Sequence, residues 1–248
     1  MKFSVIIPMY NESSIIDDTL RTLTSYLEEF CRTAGHNYLL IFSDDGSADD
    51  CSQRVMDALP SLGLTCGEVK VVKADRNYGK GHAVSLGMAA AEGDIALYTD
   101  CDLAYGNEVI GQAVQKMIEN PTDILIGSRN IAGDGYEGYT FMRKLASKTY
   151  IKVLAFIAGF KLSDSQCGFK VFRREVGQAL FGANGTNGWA FDIEIILRAD
   201  HAGYSIQEMP VKIINHRESK ISLIKDSTRM VKDVLQIKKR LKKEFKNK

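Results

Sequence analysis

The stretch Ile95-Ala-Leu-Tyr-Thr99-Asp100-Cys-Asp102 joins an apolar run directly to two carboxylates. A short apolar run that ends in polar residues is typical of a strand buried in a sheet. Alternate side chains of an extended segment face the same way, so we expect Asp100 and Asp102 to bind one divalent cation. Mg²⁺ or Mn²⁺ suits such a pair, with substrate phosphates as further ligands. Taken alone, however, the motif is more typical of two solvated loop acids.

Strand-like and helical runs alternate on both sides of this stretch. We expect strands at 3–8, 38–43, 69–73, 95–99, 123–127 and 206–214. We expect helices at 13–30, 81–91, 109–118, 139–158 and 191–201, a short one before the third strand and a basic terminal one. Asn11 or Ser13 is the expected cap of the first helix. The succession predicts an α/β fold with a doubly wound, mostly parallel sheet. Ligands of such sheets bind beyond the carboxyl ends of the strands.

The 248 residues predict one continuous domain over 1–222, followed by a basic amphipathic helix over 223–248. From residue 216 onward there are twelve Lys or Arg against four acids, while the whole chain carries a net charge of only +1. That balance does not predict a nucleic-acid partner. The terminal helix is either packed on the domain or docked on anionic lipid, and we favour docking. We expect removal of 238–248 to spare turnover of a water-soluble substrate, because the candidate site residues at the strand ends lie far earlier in the sequence.

The five cysteines are scattered and odd in number, which indicates a reducing, cytoplasmic compartment rather than a disulfide framework. No apolar stretch approaches the roughly 18 residues that a membrane-spanning helix needs. Together with the docked terminal helix, this predicts a protein that is peripheral on the cytoplasmic face of a membrane. Trp189, the single tryptophan, is interpreted as a core residue.

Two further segments carry polar groups at expected strand ends. Asp44-Asp45-Gly46-Ser47 is typical of a turn, but the turn needs only one acid, so we favour a contact to a base or ribose. Arg76-Asn-Tyr-Gly79-Lys80-Gly81-His82 is neither a Walker A loop nor a dinucleotide fingerprint. A cationic turn that begins a helix can still contact a diphosphate.

Seven segments in order resemble one family. They are Val5-Ile-Ile-Pro8-Met-Tyr10-Asn11-Glu12, Asp44-Asp45-Gly46-Ser47, Asn77-Tyr-Gly79-Lys80-Gly81, Thr99-Asp100-Cys-Asp102-Leu103, Gly127-Ser128-Arg129, Asp164-Ser-Gln166-Cys167-Gly168-Phe169-Lys170 and Trp189-Ala-Phe191-Asp192-Ile-Glu194. From about Val5 to Ile221 the chain resembles the polyprenyl-phosphate hexosyltransferases of glycosyltransferase family 2, which implies a GT-A fold. The likeness is greatest to the dolichyl-phosphate β-glucosyltransferase branch and next to the dolichol-phosphate mannose synthases.

The resemblance also implies roles for single residues. Donor-nucleotide contacts fall on Pro8, Tyr10, Glu12 and Asp44, with Lys80 and Asp100 at the nucleotide sugar; metal ligands fall on Asp100 and Asp102; and acceptor-phosphate contacts fall on Arg129, Arg143, Ser147, Arg217 and Lys220. In the mannose synthases a Gln two residues beyond the second Asp also reaches the metal, and here that position is Ala104. Asp164 is either a catalytic base at the acceptor or a hydrogen-bonded loop carboxylate.

The implied reaction is inverting hexose transfer from a nucleotide sugar, UDP-glucose first, to a polyprenyl phosphate. Asp102, Asp164 and Arg129 are the expected catalytic residues. GDP-mannose, a UDP-N-acetylhexosamine or a non-lipid acceptor stay open as alternatives within the family. A nucleotidyltransferase is less favoured, because the N-terminus lacks a Gly-rich basic loop. A non-catalytic nucleotide-sugar-binding protein is less favoured too, because the paired acids and the acceptor arginines are present.

Overall fold

The computed structural model of the chain describes residues 1–133, 135–136, 141–215 and 223–246, with the side chains of 141–143, 146–147, 150 and 223–229 left out. The strands are β1 Lys2–Met9, β2 Asn37–Asp44, β3 Gly67–Lys73, β4 Ile95–Tyr98, β5 Ile124–Ser128, β6 Lys170–Arg173 and β7 Ile206–Pro210. The helices are α1 Ile16–Ala34, α2 Cys51–Ala58, α3 Lys80–Ala89, α4 Glu108–Glu119, α5 Phe141–Ala158, α6 Arg174–Gly182, α7 Phe191–Ala202 and α8 Leu223–Lys246.

The described strands form one sheet in the order β3-β2-β1-β4-β6-β5-β7. All neighbouring pairs are parallel except those of β6, which runs antiparallel to both β4 and β5. The expected α/β class and mostly parallel sheet are therefore confirmed. The sequence interpretation missed β6 and α6, and it made the last strand too long, since β7 ends at Pro210.

Helices cover both faces of the sheet because the strands are apolar on both sides. Side chains of β1 alternate between the two faces. Phe3, Val5 and Ile7 pack in one core cluster with residues of α1 and α4, whereas Ile6 packs in the other with residues of α3, α6 and α7. Burial of apolar surface on both faces is the main stabilising term of such a doubly wound domain.

The first helix begins later than expected. Its N-cap is Ile15, which makes no capping bond, and the helix continues to Ala34, where Gly35 with φ of 67° ends it. The predicted cap Asn11 has a different function: its side-chain oxygen accepts a hydrogen bond from Ala48 N at 2.9 Å. Asn11 therefore ties the end of β1 to the loop after β2.

The terminal helix α8 packs on the domain through one face. Met230, Val234, Ile237 and Leu241 are buried in a cluster with residues of α5 and α7. Within the same helix, Arg240 pairs with Glu194 and Glu244 accepts two hydrogen bonds from Arg198 at 2.9 and 3.0 Å. Removal of 238–248 would delete both of these ion pairs, and its expected effect on turnover stays a prediction. No helix in the described part of the chain is long and apolar enough to cross a bilayer.

Candidate active site

The candidate site lies where the strand order reverses, between β1 and β4. Pro8 and Met9 at the end of β1 pair with Ser43 and Asp44 at the end of β2. On the other side, Ile6 of β1 pairs with Tyr98, the last residue of β4. The three carboxyl ends are thus neighbours, and an open crevice forms at such a reversal. The fold therefore brings the three N-terminal motifs to one edge of the sheet.

The two carboxylates after β4 sit in a turn. Leu103 N donates to Asp100 O at 3.0 Å, and Leu103 has a φ of 50°. Asp102 Oδ1 accepts from Ala104 N at 3.2 Å, and Asn215 Nδ2 donates to Leu103 O at 3.0 Å. The expected extended geometry is wrong, because the chain reverses immediately after the strand. The turn holds Asp100 and Asp102 on one short, fixed loop.

The donor set of this turn fits a hard divalent cation. Both side chains are partly exposed carboxylates, and Mg²⁺ or Mn²⁺ binds one or two carboxylates together with substrate phosphates. Among the residues the structure describes, no third Asp, Glu, His or Cys completes a metal-binding group. Ala104 occupies the position of the possible third ligand. The arrangement therefore fits a metal that shares its coordination with a substrate better than one enclosed by protein.

Lys80 supplies a cation to this turn. Its ammonium pairs with Asp100 Oδ1, and its side chain is only 17% exposed. Burial by itself lowers the pKa of Lys80, but the charge of Asp100 and the hydrogen bond to it outweigh burial and raise that pKa. Lys80 thus stays charged at the first residue of α3, beside a predicted metal ligand.

Trp189 corrects the sequence interpretation. Its side chain is not in the core: it is 56% exposed, and the Lys80 ammonium lies 5.2 Å from its ring centroid. An ammonium at this distance is attracted to the negative face of an indole. Trp189 therefore belongs to the rim of the site.

Asp44 is buried under its own turn rather than presented to a ligand. Its carboxylate accepts from Ser47 N at 2.7 Å and from the Ser52 hydroxyl, and Lys73 Nζ lies 3.1 Å from Oδ2. Burial raises the pKa of Asp44, but these hydrogen bonds together hold the pKa below its ordinary value. In this conformation Asp44 shapes the loop, and its contact to a donor nucleotide stays a prediction.

Asp45 has a role that the sequence did not specify. Its Oδ2 accepts from Tyr78 N at 3.1 Å and Gly79 N at 2.6 Å, and its Oδ1 lies 3.2 Å from His82 Nδ1. The second acid of the Asp-Asp pair therefore fixes the loop that carries Lys80. The Asp-Asp pair already indicated a further contact, since a turn needs only one of the two acids.

The three predicted donor contacts after β1 differ in exposure. Pro8 is buried in the strand, Glu12 is half-buried, and Tyr10, just after the strand, is exposed. An exposed tyrosine at a strand end can stack on a flat base. The structure thus brings Tyr10 and Glu12 to the same edge as the carboxylate turn.

Arg129 and Asp164 form a buried pair at the end of β5. Arg129 Nε and Nη2 donate to the two oxygens of Asp164 at 2.6 and 2.9 Å, and Arg129 N donates at 3.1 Å. Asp164 is fully buried, and each of its two carboxylate oxygens accepts a hydrogen bond from Arg129. In the structure Asp164 is thus a hydrogen-bonded loop carboxylate, and its role as a catalytic base stays a prediction. Glu208 accepts from Ser163 N at 3.0 Å and thereby supports the loop.

The remaining acceptor predictions fall outside the described residues. The side chains of Arg143 and Ser147 are not described, and neither are Arg217 and Lys220. Their roles stay predictions.

Two known proteins are similar in sequence to nearly the whole of this chain. Glycosyltransferase AglD of Haloferax volcanii is 29% identical over 95% of the chain, which spans 36% of AglD, about a third of its length. The dolichyl-phosphate beta-glucosyltransferase of Saccharomyces cerevisiae is also 29% identical, over 94% of the chain and 72% of the yeast protein.

The fold also matches solved structures. The mannosyltransferase PcManGT of Pyrobaculum calidifontis, solved in complex with GDP-Man and Mn²⁺, matches with a TM-score of 0.54 at 18% identity, over 88% of this chain and 59% of that one. The GT-A fold expected from the resemblance is thus confirmed. The family model for glycosyl transferase family 2 matches residues 4–181, well over half of the chain. The chain therefore belongs to glycosyl transferase family 2.

Proposed function

We propose that this chain is a metal-dependent, inverting hexosyltransferase that moves a sugar, glucose first, from a nucleotide sugar to a polyprenyl phosphate. The observation that carries the proposal is the carboxylate turn beside the point where the strand order reverses, with the half-buried, charged Lys80 paired to Asp100. Membership of the family and the names of the two relatives support the reaction class. UDP-glucose is the preferred donor because the yeast relative is named a glucosyltransferase.

On the donor side, Asp100 and Asp102 would hold the divalent cation together with the diphosphate. When bound, that cation stabilises the negative charge that the leaving diphosphate gains. Lys80 lies beside the same turn and can donate to the diphosphate oxygens from its present position or by a small rotation of its side chain. Preorganised cations are effective here because they meet charge that develops in the transition state. Tyr10 and Glu12 would contact the nucleoside.

On the acceptor side, Arg129 would donate a hydrogen bond to an oxygen of the acceptor phosphate. Asp164 binds Nε and Nη2 of the guanidinium and fixes its plane. Arginine suits phosphate because its planar group presents several donors in a rigid geometry. A lipid phosphate is anionic at neutral pH and can attack the anomeric carbon without a general base. Asp164 therefore orients Arg129, and a single displacement inverts the α-linked donor to a β-linked product.

A panel assay tests the proposal. Purified protein, a short water-soluble prenyl phosphate and Mn²⁺ are incubated with UDP-glucose, GDP-mannose or UDP-N-acetylglucosamine, and the glycolipid product and its anomeric configuration are determined. We expect a β-glucosyl phosphate product that is lost in EDTA. A product from another donor would revise the sugar, and product with a non-lipid acceptor only would revise the acceptor. Absence of product with every donor and acceptor would overturn the proposal.

Asp100→Asn and Asp102→Asn test the carboxylate turn itself. Each should reduce kcat/KM by about a hundredfold or more, since electrostatic stabilisation of the leaving group is commonly worth that much. Asp200→Asn is the matched control, because Asp200 is an exposed carboxylate at the far end of α7. Turnover near that of the wild type in both variants, or full activity in EDTA, would contradict the metal assignment.

We further propose that the outer faces of α5 and α8 rest on anionic lipid. Phe156 of α5 is 88% exposed and Val153 lies one turn before it. Lys238 of α8 donates to Ile157 O at 2.6 Å, so the lysines of α8 stand beside this apolar face. Among the side chains of α8 that the structure describes, the other exposed lysines are Lys232, Lys239, Lys242, Lys243 and Lys246. An apolar strip with a basic border fits a bilayer surface of negative charge.

A further inference from the structure

A loop over residues 184–190 joins the carboxylate turn to the C-terminal helix. On one side it contacts the residues around Lys80: Asn187 O accepts hydrogen bonds from Gly81 N at 2.7 Å and His82 N at 3.3 Å. A methyl group on Gly79 would approach Asn187 O to 2.6 Å. The two loops are therefore in backbone contact, with no room for a side chain between them.

The same loop contacts the Lys80 side chain. Trp189, near the end of the loop, lies 5.2 Å from the Lys80 ammonium, which pairs with Asp100. A displacement of the 184–190 loop would therefore change two contacts around Lys80: the hydrogen bond from Gly81 N to Asn187 O and the contact of the ammonium with Trp189.

On its other side the loop is held by a buried carboxylate. Glu194 of α7 is fully buried and accepts from Gly185 N at 3.0 Å and from the Thr186 hydroxyl at 2.5 Å. Its charge is balanced by Arg198 at 2.9 Å and by Arg240 of α8. A buried carboxylate needs such partners because an unpaired charge is costly to remove from water.

Arg240 binds the loop as well as the carboxylate. Its guanidinium donates to Gly185 O at 3.1 Å and to the Thr186 hydroxyl at 3.0 Å. The cation that α8 supplies therefore fastens the 184–190 loop to Glu194. A lysine at this position could neutralise the carboxylate but could not make all of these bonds at once.

We infer that Arg240 is a positioning residue of the donor site: through Glu194 and the 184–190 loop it keeps Lys80 in place beside Asp100. The terminal helix thereby belongs to the architecture that binds the diphosphate, although Arg240 itself lies outside the site. The inference rests on the proposed function, because it assigns Lys80 to the donor diphosphate.

The test compares Arg240→Met, Arg240→Lys and Glu244→Gln in the otherwise complete chain. Glu244→Gln is the matched control, since it weakens the contact of α8 to Arg198 of α7 one turn further along the same helix. Trp189 is the single tryptophan, so its fluorescence reports on the loop alone. The measurements are acrylamide quenching of the unliganded protein, calorimetric affinity for UDP with Mn²⁺, and the melting temperature.

We expect Arg240→Met to increase quenching of Trp189 and to weaken UDP–Mn²⁺ binding roughly tenfold, within the usual range for coupling between two connected sites. Arg240→Lys should lie between Arg240→Met and the wild type. Glu244→Gln should lower the melting temperature yet keep quenching and affinity near those of the wild type. Unchanged quenching and affinity in Arg240→Met would overturn the inference, as would equal changes in Glu244→Gln, which would indicate general loosening.

Failure of the proposed function gives a different result. If the wild-type protein binds neither UDP nor GDP in the presence of Mn²⁺, the donor assignment fails, and Arg240 then has no donor site to position. Quenching of Trp189 in the unliganded variants would still report whether Arg240 holds the loop.

Discussion

Gly168→Ala displaces the Asp100 carboxylate without substituting any residue of the carboxylate turn. A methyl group at Gly168 would lie 2.8 Å from Asp100 Cγ and closer still to Oδ2, whereas ordinary contacts begin at 3.4 Å, so Cγ must retreat by about 0.6 Å and Oδ2 by more than that. Gly168 does not have a positive φ, so the backbone accepts alanine. Because a displacement of about 1 Å can cost a hundredfold, we expect kcat/KM to fall between about tenfold and a hundredfold.

The expected cost in stability is small. Forcing Asp100 from its rotamer is worth about 0.5–1.5 kcal/mol. For a chain of this size, each kcal/mol lowers the melting temperature by about 2–4 °C. The fold should therefore survive while the position of the carboxylate changes.

The assay measures kcat/KM as a function of Mn²⁺ concentration, with the nucleotide sugar identified by the donor panel. Gly182→Ala is the control, because a methyl group there meets nothing within 4 Å. The apparent affinity for Mn²⁺ should fall in Gly168→Ala and stay unchanged in Gly182→Ala. If both variants match the wild type in kcat/KM and in Mn²⁺ dependence, Asp100 is not a metal ligand of the reaction.

Three further outcomes are expected. Lys170→Met should destabilise the protein by about 3–5 kcal/mol in urea unfolding, because it leaves the Asp192 carboxylate buried without the ammonium that now lies 2.6 Å away; a loss below 1 kcal/mol would contradict the pairing. The folded pKa of Asp44 is lowered from 3.8, so the stability it supplies is complete above that pH and lost as the pH falls through the folded pKa; Asp44→Asn should flatten this acid limb of the pH–stability curve, and an unchanged limb would refute the assignment. Lys239→Gln with Lys243→Gln should reduce flotation with anionic vesicles at low salt, whereas equal flotation would reject lipid docking.

Much of the fold could be predicted because the apolar runs were long and regular. The strands β1 and β2 are continuous apolar runs, and the apolar residues of α1 recur at helical spacing. Each of these elements appears within a few residues of its expected position. Strand β6 was missed because it has only four residues and passes directly into α6 at Arg174. Its strand conformation comes from pairing with β4 and β5, which no local pattern specifies.

The candidate site was predicted in position but not in connectivity. The order of strands and the polar residues at their ends placed Asp100 and Lys80 at one edge. Local sequence could not indicate that Lys80 pairs with Asp100, that Asp164 occupies Arg129, or that Trp189 lies at the rim. These contacts join segments many residues apart, so only the folded chain determines them.

A row of alternating charges explains how the site keeps several ionised groups together. Lys170, only 1% exposed, donates to Asp192 at 2.6 Å, and the Tyr98 hydroxyl donates to the same carboxylate oxygen. Burial first, and then the charge of Asp192, raises the pKa of Tyr98, so the phenol remains a donor. Burial lowers the pKa of Lys80, whereas the charges of Asp100 and Asp192 raise it. Because Lys170 balances Asp192, that buried carboxylate keeps a cationic partner whether or not Lys80 stays at Asp100. Lys170 and Asp192, which belong to the last two segments of the family resemblance, thus neutralise each other in the buried interior.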